Sequence, residues 1–302
     1  MLRQEHLHLG DFAVFPGDHV VGDLDAADEW YDRIFSVRRF VRNYMKAAMR
    51  KASLVLLGDF VMEPAQPVQQ PGWEKSALGK FYARFGQRFH SIAWYVDDLR
   101  ETCQVLSEHK IRLFDMVGKP VTDPGRGDAV WTHPQDTHAA FEFAVAPRFF
   151  IDPRSQPGWS MEFPRDQHPL GIERASHITM LFGDLKDALR VYQDALGAKL
   201  FHEQEFAGRK RSAFFAVGAD TVIEAAQPLS PSSPEGRELE QAGEGIFSVT
   251  FKTGNLTRAA DHLRSNNVRF ELTENGLVIN REDAFGMVLG FTEQPLPNDP
   301  RP

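Results

Sequence analysis

Cysteine is nearly absent from this 302-residue sequence. Because Cys103 is the only one, the chain can form no internal disulfide and no cysteine-ligated metal site. Cys103 lies in a helical pattern over residues 99–106, where a buried, unreactive thiol is expected. The sequence therefore excludes disulfide-built and cysteine-ligated folds.

Long apolar runs and an excess of positive charge are also missing. The longest apolar runs, such as residues 52–57, are far shorter than the roughly 20 residues that a membrane helix needs. The N-terminus shows no signal or transit pattern. The formal net charge is −8 with both signs interspersed, so there is no basic stripe for nucleic acid. We therefore expect a cytoplasmic protein that binds neither membranes nor nucleic acid.

The sequence does contain an internal duplication. GDLDAADEWY at residues 22–31 resembles GDLKDALRVY at residues 183–192, and the two segments are 161 residues apart. The same offset relates DFVMEPAQP at residues 59–67 to DTVIEAAQP at residues 220–228. Chance rarely keeps one register over so long a stretch, so the two halves of the chain are repeats of each other.

A second pair of similar segments divides each half again. SIAWYVDDL at residues 91–99 resembles SVTFKTGNL at residues 248–256, at an offset of 157. The duplication and its subdivision give four segments. In the third segment, the alternation of apolar residues that begins at Ile178 predicts a strand. Asp184 then predicts the N-cap of a helix, and Gly197 predicts the end of that helix. Three β-prone runs follow. This order predicts a module of one strand, one helix and three strands (βαβββ).

Four such modules predict an α+β fold in which they pair into two tandem domains. The N-terminal domain is expected at residues 1–150 and the C-terminal domain at residues 171–297. Residues 151–170 contain four prolines and are typical of a stiff linker on a domain surface.

The repeated module resembles the vicinal oxygen chelate (glyoxalase-like) superfamily over nearly the whole chain. In motif it is closest to methylmalonyl-CoA epimerases: residues 222–256 resemble the stretch that joins their two modules, and residues 131–143 their last hairpin. The resemblance implies that residues of the first and last strands converge on one cleft. There His, Gln or Glu side chains bind a divalent ion with open positions for two substrate oxygens.

In the second half the resemblance assigns His177 to the first-strand ligand position and Glu224 to the last-strand position. The two equivalent positions of the fourth module hold Ser248 and Gly290, neither of which is a strong ligand. The C-terminal domain is therefore expected to carry a degenerate site.

In the first half, Glu63 and Glu142 occupy the two last-strand positions. The first-strand position of the second module is Ser91, with His90 immediately before it. Neighbouring strand residues point to opposite faces, so His90 can be a ligand only if the strand bulges there.

The first strand of the first module is harder to assign. Strict register with the third module selects Pro16, which cannot ligate. GDHVVGD at residues 17–23 resembles the first ligand strand of 4-hydroxyphenylpyruvate dioxygenase, which selects His19, while Asp18 shares the parity of Pro16 and stays an alternative. The resemblance implies a divalent ion, which would be Fe²⁺, Mn²⁺, Co²⁺ or Zn²⁺. The expected metal ligands are His19, Glu63, His90 and Glu142.

Plainer interpretations stay open. His90 can be an ordinary strand histidine bonded to a backbone carbonyl. Glu63 and Glu224 can be relics of the duplication, paired with arginine or solvent. Six basic residues at helical spacing predict a helix face that is solvated or attracts an anionic substrate. They are Arg38, Arg39, Arg42, Lys46, Arg50 and Lys51.

The resemblance implies a metal-dependent enzyme of isomerase, epimerase or lyase type that acts on a small substrate with adjacent oxygens. The ion would stabilise an enolate while Glu63 or His133 moves a proton. One alternative is an extradiol-type or keto-acid dioxygenase that uses His19, His90 and Glu142. The other is a metal-free protein that sequesters small molecules. A small-molecule substrate is the expected partner, and a homodimer is left open.

Overall fold

The computed structural model describes residues 9–123, 127–145 and 152–301, and each half of the chain forms one eight-stranded sheet with helices. The elements of the first half are β1 (Leu9–Val20), α1 (Leu24–Phe35), β2 (Arg38–Met45), β3 (Arg50–Leu57), β4 (Phe60–Pro67), α2 (Ala77–Phe85), β5 (Arg88–Val96), α3 (Leu99–Glu108), β6 (Leu113–Phe114), β7 (Ala129–Thr132), α4 (Pro134–Thr137) and β8 (Ala140–Ala144).

The second half repeats this order. Its elements are β9 (Ile172–Leu181), α5 (Leu185–Leu189) with a π-helical continuation (Arg190–Ala195), β10 (Lys199–Phe206), β11 (Lys210–Val217), β12 (Thr221–Pro228), α6 (Pro234–Ala242), β13 (Gly245–Thr253), α7 (Leu256–Ser265), β14 (Glu271–Thr273), β15 (Gly276–Ile279) and β16 (Val288–Thr292).

The two sheets have the same topology. The strand orders are β2-β3-β4-β1-β5-β8-β7-β6 and β10-β11-β12-β9-β13-β16-β15-β14. In each sheet the first strands of the two modules pair antiparallel at the centre, and each first strand pairs parallel with the last strand of its own module. The predicted α+β fold of four βαβββ modules in two tandem domains is confirmed.

Each module helix begins at a residue whose side chain accepts hydrogen bonds from the first turn. Asp23, Asp98, Asp184 and Asn255 have extended backbones and satisfy backbone N–H groups that no helical carbonyl can reach. In the described part of the chain, no helix is long and apolar enough to cross a membrane.

The six-residue basic cluster does not form a helix, so that prediction is wrong. Arg38, Arg39 and Arg42 lie on β2, and Arg50 and Lys51 begin β3, in a hairpin with shifted register between Arg39 and Val41. Spacing alone cannot separate the two structures, because a strand also brings alternate residues to one face. The difference matters, because Arg50 has a half-buried side chain next to two carboxylates.

The predicted linker is anchored to the first half of the chain. Sheet strands end at residue 144 and resume at residue 172, which leaves the linker between the two halves. Arg154 is buried, pairs with Asp152 at 2.7 Å and donates to the carbonyl of Asp59 at 3.1 Å. The precise domain boundaries stay a prediction.

One continuous apolar core joins the two halves. The ring of Phe35 on α1 lies 6.1 Å from Phe251 on β13, and Phe141 on β8 lies 6.1 Å from Tyr192. All four are buried. Because neither half covers its apolar surface alone, we expect the two domains to unfold together.

We predict that Phe251→Ala lowers the free energy of unfolding by about 3–5 kcal/mol, the usual cost of removing a fully buried phenylalanine. Its ring contacts Phe35, Phe60 and Phe291. Urea unfolding followed by fluorescence and circular dichroism measures the cost. Tyr44→Ala, which removes an aromatic ring that is 48% exposed, is the control. Equal costs for the two variants, or separate transitions for the two halves, would contradict the shared core.

Candidate functional site

A β-bulge places His90 beside the first strand's acidic residue. In the pairing of β1 with β5, Asp18 lies opposite Ser91 and His19 lies opposite Phe89, so His90 has no partner in the ladder. An extra residue of this kind brings two side chains to one face. The β-bulge that His90 needs in order to face the cleft is therefore present.

His90 lines a cleft of about 450 Å³ in the N-terminal domain. The floor comes from the sheet, and one side comes from α2, whose Phe81 packs edge-to-face with His90 at a ring distance of 4.7 Å. The polar and charged residues that line the cleft are Asp18, Arg50, Lys75, Ser76, His90, Asp115, Thr132 and His133.

The polar wall of the cleft is built around Asp18. Ser91 Oγ donates to Asp18 Oδ2 at 2.8 Å, and His90 Nδ1 lies 3.4 Å from the same oxygen. Arg50 Nη1 lies 3.7 Å from Asp18 Oδ2, and Arg50 Nη2 lies 2.9 Å from Glu63 Oε1. Asp18 and Glu63 are adjacent partners on the parallel strands β1 and β4. A guanidinium thus bridges two buried carboxyl groups.

The three carboxyl groups of this region differ in proton affinity. Burial raises the pKa of Asp18, but hydrogen bonds from His90 and Ser91 and the charge of Arg50 outweigh burial and lower the pKa to about 2. Burial raises the pKa of Glu142 to about 8, reinforced by Asp18 and opposed by Arg50 and a hydrogen bond from Trp131. Burial also raises the pKa of Glu63 well above its usual value, against the charge of Arg50.

The structure does not bring His19 to this cluster. His19 is fully buried on the other face of β1, because neighbouring strand residues point to opposite sides. Its Nε2 donates to the carbonyl of Phe285 at 2.7 Å, which leaves Nδ1 to accept from the hydroxyl of Tyr31 at 2.8 Å. Burial lowers the pKa of His19 to about 4, so the ring is neutral. It joins the two halves of the chain instead of facing the cleft.

The residues of the cleft do not fit a divalent metal ion. Among residues 9–123, 127–145 and 152–301, no three His, Cys, Asp or Glu side chains are arranged as a ligand set. Asp18 Oδ1 is a buried oxygen without a hydrogen-bond partner, which alone would suit a cation. The guanidinium of Arg50, however, already supplies a positive charge to Asp18 and Glu63. The predicted set of His19, Glu63, His90 and Glu142 is not assembled.

His133 lines the cleft but also has a structural task. It is the N-cap of α4, where its Nδ1 accepts from the backbone N–H of Gln135 at 3.2 Å, and its ring lies 5.5 Å from that of Phe114. The capping bond occupies one of its two ring nitrogens. A catalytic role for His133 stays a prediction, as does one for Glu63.

The equivalent position in the C-terminal domain is a closed polar network. Glu224 accepts from Lys210 Nζ at 2.5 Å, Ser212 Oγ at 2.6 Å and Thr179 Oγ1 at 2.6 Å, and His177 Nε2 lies 3.6 Å away. Burial raises the pKa of Glu224, but Lys210 and the other donors lower it to about 2. His177, whose pKa burial lowers to about 4, and Glu224 are thus brought together by the structure.

The other two positions of that domain offer no strong ligand. Ser248 is buried at the bulge of β13, and a side chain at Gly290 would meet Thr250 Oγ1 at 2.7 Å. Phe247 takes the unpaired place at the bulge that His90 has in the first half. The degeneracy of the second site stays a prediction.

Arg50 was named in the sequence analysis only as one of six basic residues and was not placed beside Asp18 and Glu63. Its signal was present in the duplication, because RKASLVLL on β3 and KRSAFFAV on β11 both begin with two basic residues and continue as a buried strand. The helical spacing of the surrounding basic residues obscured this alignment.

Two stretches of the chain match models described as Glyoxalase/Bleomycin resistance protein/Dioxygenase superfamily, over residues 19–129 and 174–286. The uncharacterized protein YqjC of Bacillus subtilis (strain 168) is 26% identical over 98 residues, which are 32% of this chain and 70% of that protein.

Solved structures are also similar to the chain. Methylmalonyl-CoA epimerase from Mycobacterium tuberculosis is 28% identical with a TM-score of 0.38, over 42% of this chain and 90% of that chain. A mutant 4-hydroxymandelate synthase from Streptomyces coelicolor is 11% identical with a TM-score of 0.65, over 93% of this chain and 92% of that chain. The latter similarity shows that one fold accounts for both halves together.

We predict that Glu142 makes stability fall as pH rises. Its native pKa of about 8 lies above the usual 4.5, so between these values the folded chain binds more protons than the unfolded chain. The unfolding free energy of the wild type should therefore decrease from pH 5 to pH 8.5 relative to that of Glu142→Gln. Urea unfolding at both pH values measures this, with Glu29→Gln on the exposed face of α1 as control. Parallel pH profiles for wild type and Glu142→Gln would refute the raised pKa.

Proposed function

The chain belongs to the vicinal oxygen chelate superfamily, and we propose that its N-terminal domain is an enzyme that moves a proton on a small substrate bound in the cleft. The observation that carries the proposal is the Asp18–His90 pair, which opens on a cleft of about 450 Å³. A volume of this size suits a small molecule.

His90 is the proposed general base. Its Nδ1 faces Asp18 Oδ2, and because the pKa of Asp18 is lowered to about 2, that carboxylate is ionised at every pH near neutrality. An ionised carboxylate at Nδ1 selects the tautomer whose Nε2 is unprotonated and able to accept a proton. The separation of 3.4 Å is long for a hydrogen bond, and catalytic hydrogen bonds often tighten only when substrate is bound.

Glu142 is the proposed general acid, the group that supplies a proton. Its pKa of about 8 keeps the carboxyl group protonated near neutral pH, so it donates a hydrogen bond where an ordinary glutamate would only accept. The indole of Trp131, which bonds to Glu142, lines the cleft. A base and a neutral acid near one cleft support removal of a proton next to a carbonyl and its return elsewhere, the chemistry of isomerases, epimerases and lyases.

A divalent ion is not part of this proposal. The family commonly uses one, but the ligand set expected for this chain is not assembled, and the guanidinium of Arg50 lies within ion-pair distance of Asp18 and Glu63. The dioxygenase alternative needs His19 together with His90 and Glu142, and the position of His19 on the far face of β1 argues against it. Sequestration of a small molecule differs from the proposal only in lacking proton transfer.

We predict that His90→Ala abolishes proton exchange catalysed by the cleft. The purified protein is incubated in D2O with a panel of small 2-oxo acids, hydroxyketones and acyl thioesters, and deuterium incorporation next to the carbonyl is followed by NMR. Loss of a general base should slow exchange by about 100-fold or more, and Asp18→Asn should slow it less because it only disorients the ring. His109→Ala, which removes a histidine at the C-terminal end of α3 that does not line the cleft, is the control.

Three results separate the functions. Exchange by wild type that depends on His90 but not on His109 supports the proposal. Equal exchange by wild type and His90→Ala rules out His90 as the base. Compounds that bind wild type without any exchange favour a sequestering protein.

A further inference from the structure

Both halves of the chain place a basic side chain at the same point of the sheet. Arg50 begins β3 and lies opposite Pro67 on β4, and Lys210 begins β11 and lies opposite Pro228 on β12. Pro67 and Pro228 are equivalent in the duplicated DFVMEPAQP and DTVIEAAQP segments. Arg50 and Lys210 are therefore structural counterparts, although few of the polar residues around them are shared.

Each of these cations forms an ion pair with the glutamate at the last-strand position of its module. Arg50 Nη2 lies 2.9 Å from Glu63 Oε1, and Lys210 Nζ lies 2.5 Å from Glu224 Oε1. The two glutamates are 6% and 1% exposed. A buried carboxyl group requires a compensating cation or a proton, and in both halves the chain itself places a cation at ion-pair distance.

These glutamates are the carboxylates that the family resemblance assigns as metal ligands. We propose that Arg50 and Lys210 are built-in cations that replace the divalent ion at both sites, so that the protein works without a metal. A metal ion and a fixed guanidinium next to the same carboxylate repel each other and compete for the same oxygens.

In the N-terminal cleft the replacement has a chemical consequence, which rests on the proposed function. Arg50 lines the cleft, and within the described residues its buried Nε has no hydrogen-bond partner. A guanidinium has five N–H donors and presents them as a planar fork. Arg50 is thus the group that polarises a substrate carbonyl or carboxylate oxygen, the task that the ion would have there. The substrate class is a small carbonyl compound with an anionic or polarised oxygen.

The test is whether removal of the cation creates a metal site. Chelator-treated wild type, Arg50→Ser and Arg50→Ser/Glu63→Gln are titrated with Co²⁺, and binding is followed by calorimetry and by the visible absorption of the ion. We expect no stoichiometric binding by wild type, one ion per chain with at least tenfold higher affinity in Arg50→Ser, and loss of that gain in the double variant. Arg42→Ser, which removes an exposed arginine paired with Asp25, is the control for charge.

The second half provides an independent variant in case Arg50→Ser does not fold, which circular dichroism reveals. Lys210→Ser leaves His177 and Glu224 facing each other and should likewise gain Co²⁺ binding. The inference is overturned if wild type binds one ion that Glu63→Gln or Glu142→Gln removes. It is also overturned if neither folded cation variant binds more Co²⁺ than wild type.

The metal titration uses no substrate, so its outcome is separate from that of the proposed enzyme activity. Proton exchange by wild type that persists in EDTA supports the built-in cation. Exchange that requires an added divalent ion overturns the built-in cation and leaves proton transfer by His90 intact. Absence of exchange together with Co²⁺ binding only in the cation variants overturns the enzyme proposal alone.

Discussion

A carboxyl group that is removed from water needs a cation, hydrogen-bond donors or a proton, and this requirement organises the N-terminal cleft. Asp18 stays ionised because Ser91, His90 and Arg50 surround one of its oxygens. Glu63 has the ion pair with Arg50 and still has a raised pKa. Glu142 forms no ion pair with any described residue, and it retains its proton to about pH 8. Burial, opposed to different degrees by hydrogen bonds and by the charge of Arg50, therefore gives the three carboxyl groups different proton affinities.

The two halves show how one scaffold supports an open and a closed site. At the bulge of the central strand the first half has His90, which bonds to Asp18 and lines the cleft, and the second half has Phe247, which cannot titrate. Around Glu224 every described contact is a donor, so its pKa is lowered to about 2. The same sheet topology thus produces a site with protons to exchange and a site whose polar groups are satisfied.

The shared core makes the position of His19 understandable. A histidine with both ring nitrogens bonded, one to Tyr31 and one to the carbonyl of Phe285 in the other half, satisfies buried polar groups at the junction. Arg88 and Arg281 from the two halves both pair with Glu238 nearby in the fold. The face of β1 that carries His19 therefore stabilises the assembly of the domains, while the face that carries Asp18 forms the cleft.

The sequence by itself determined the duplication, the βαβββ modules, the superfamily and the last-strand positions of Glu63, Glu142 and Glu224. It could do so because periodicity and internal repetition can be read from the order of residues alone. It could state that His90 needs a bulge, but not that the bulge exists. Only the tertiary structure decided that His19 faces the core and that Arg50 reaches Glu63. The physical reason is that pairing register and the partners of a buried charge depend on strands distant in sequence, which local spacing cannot encode.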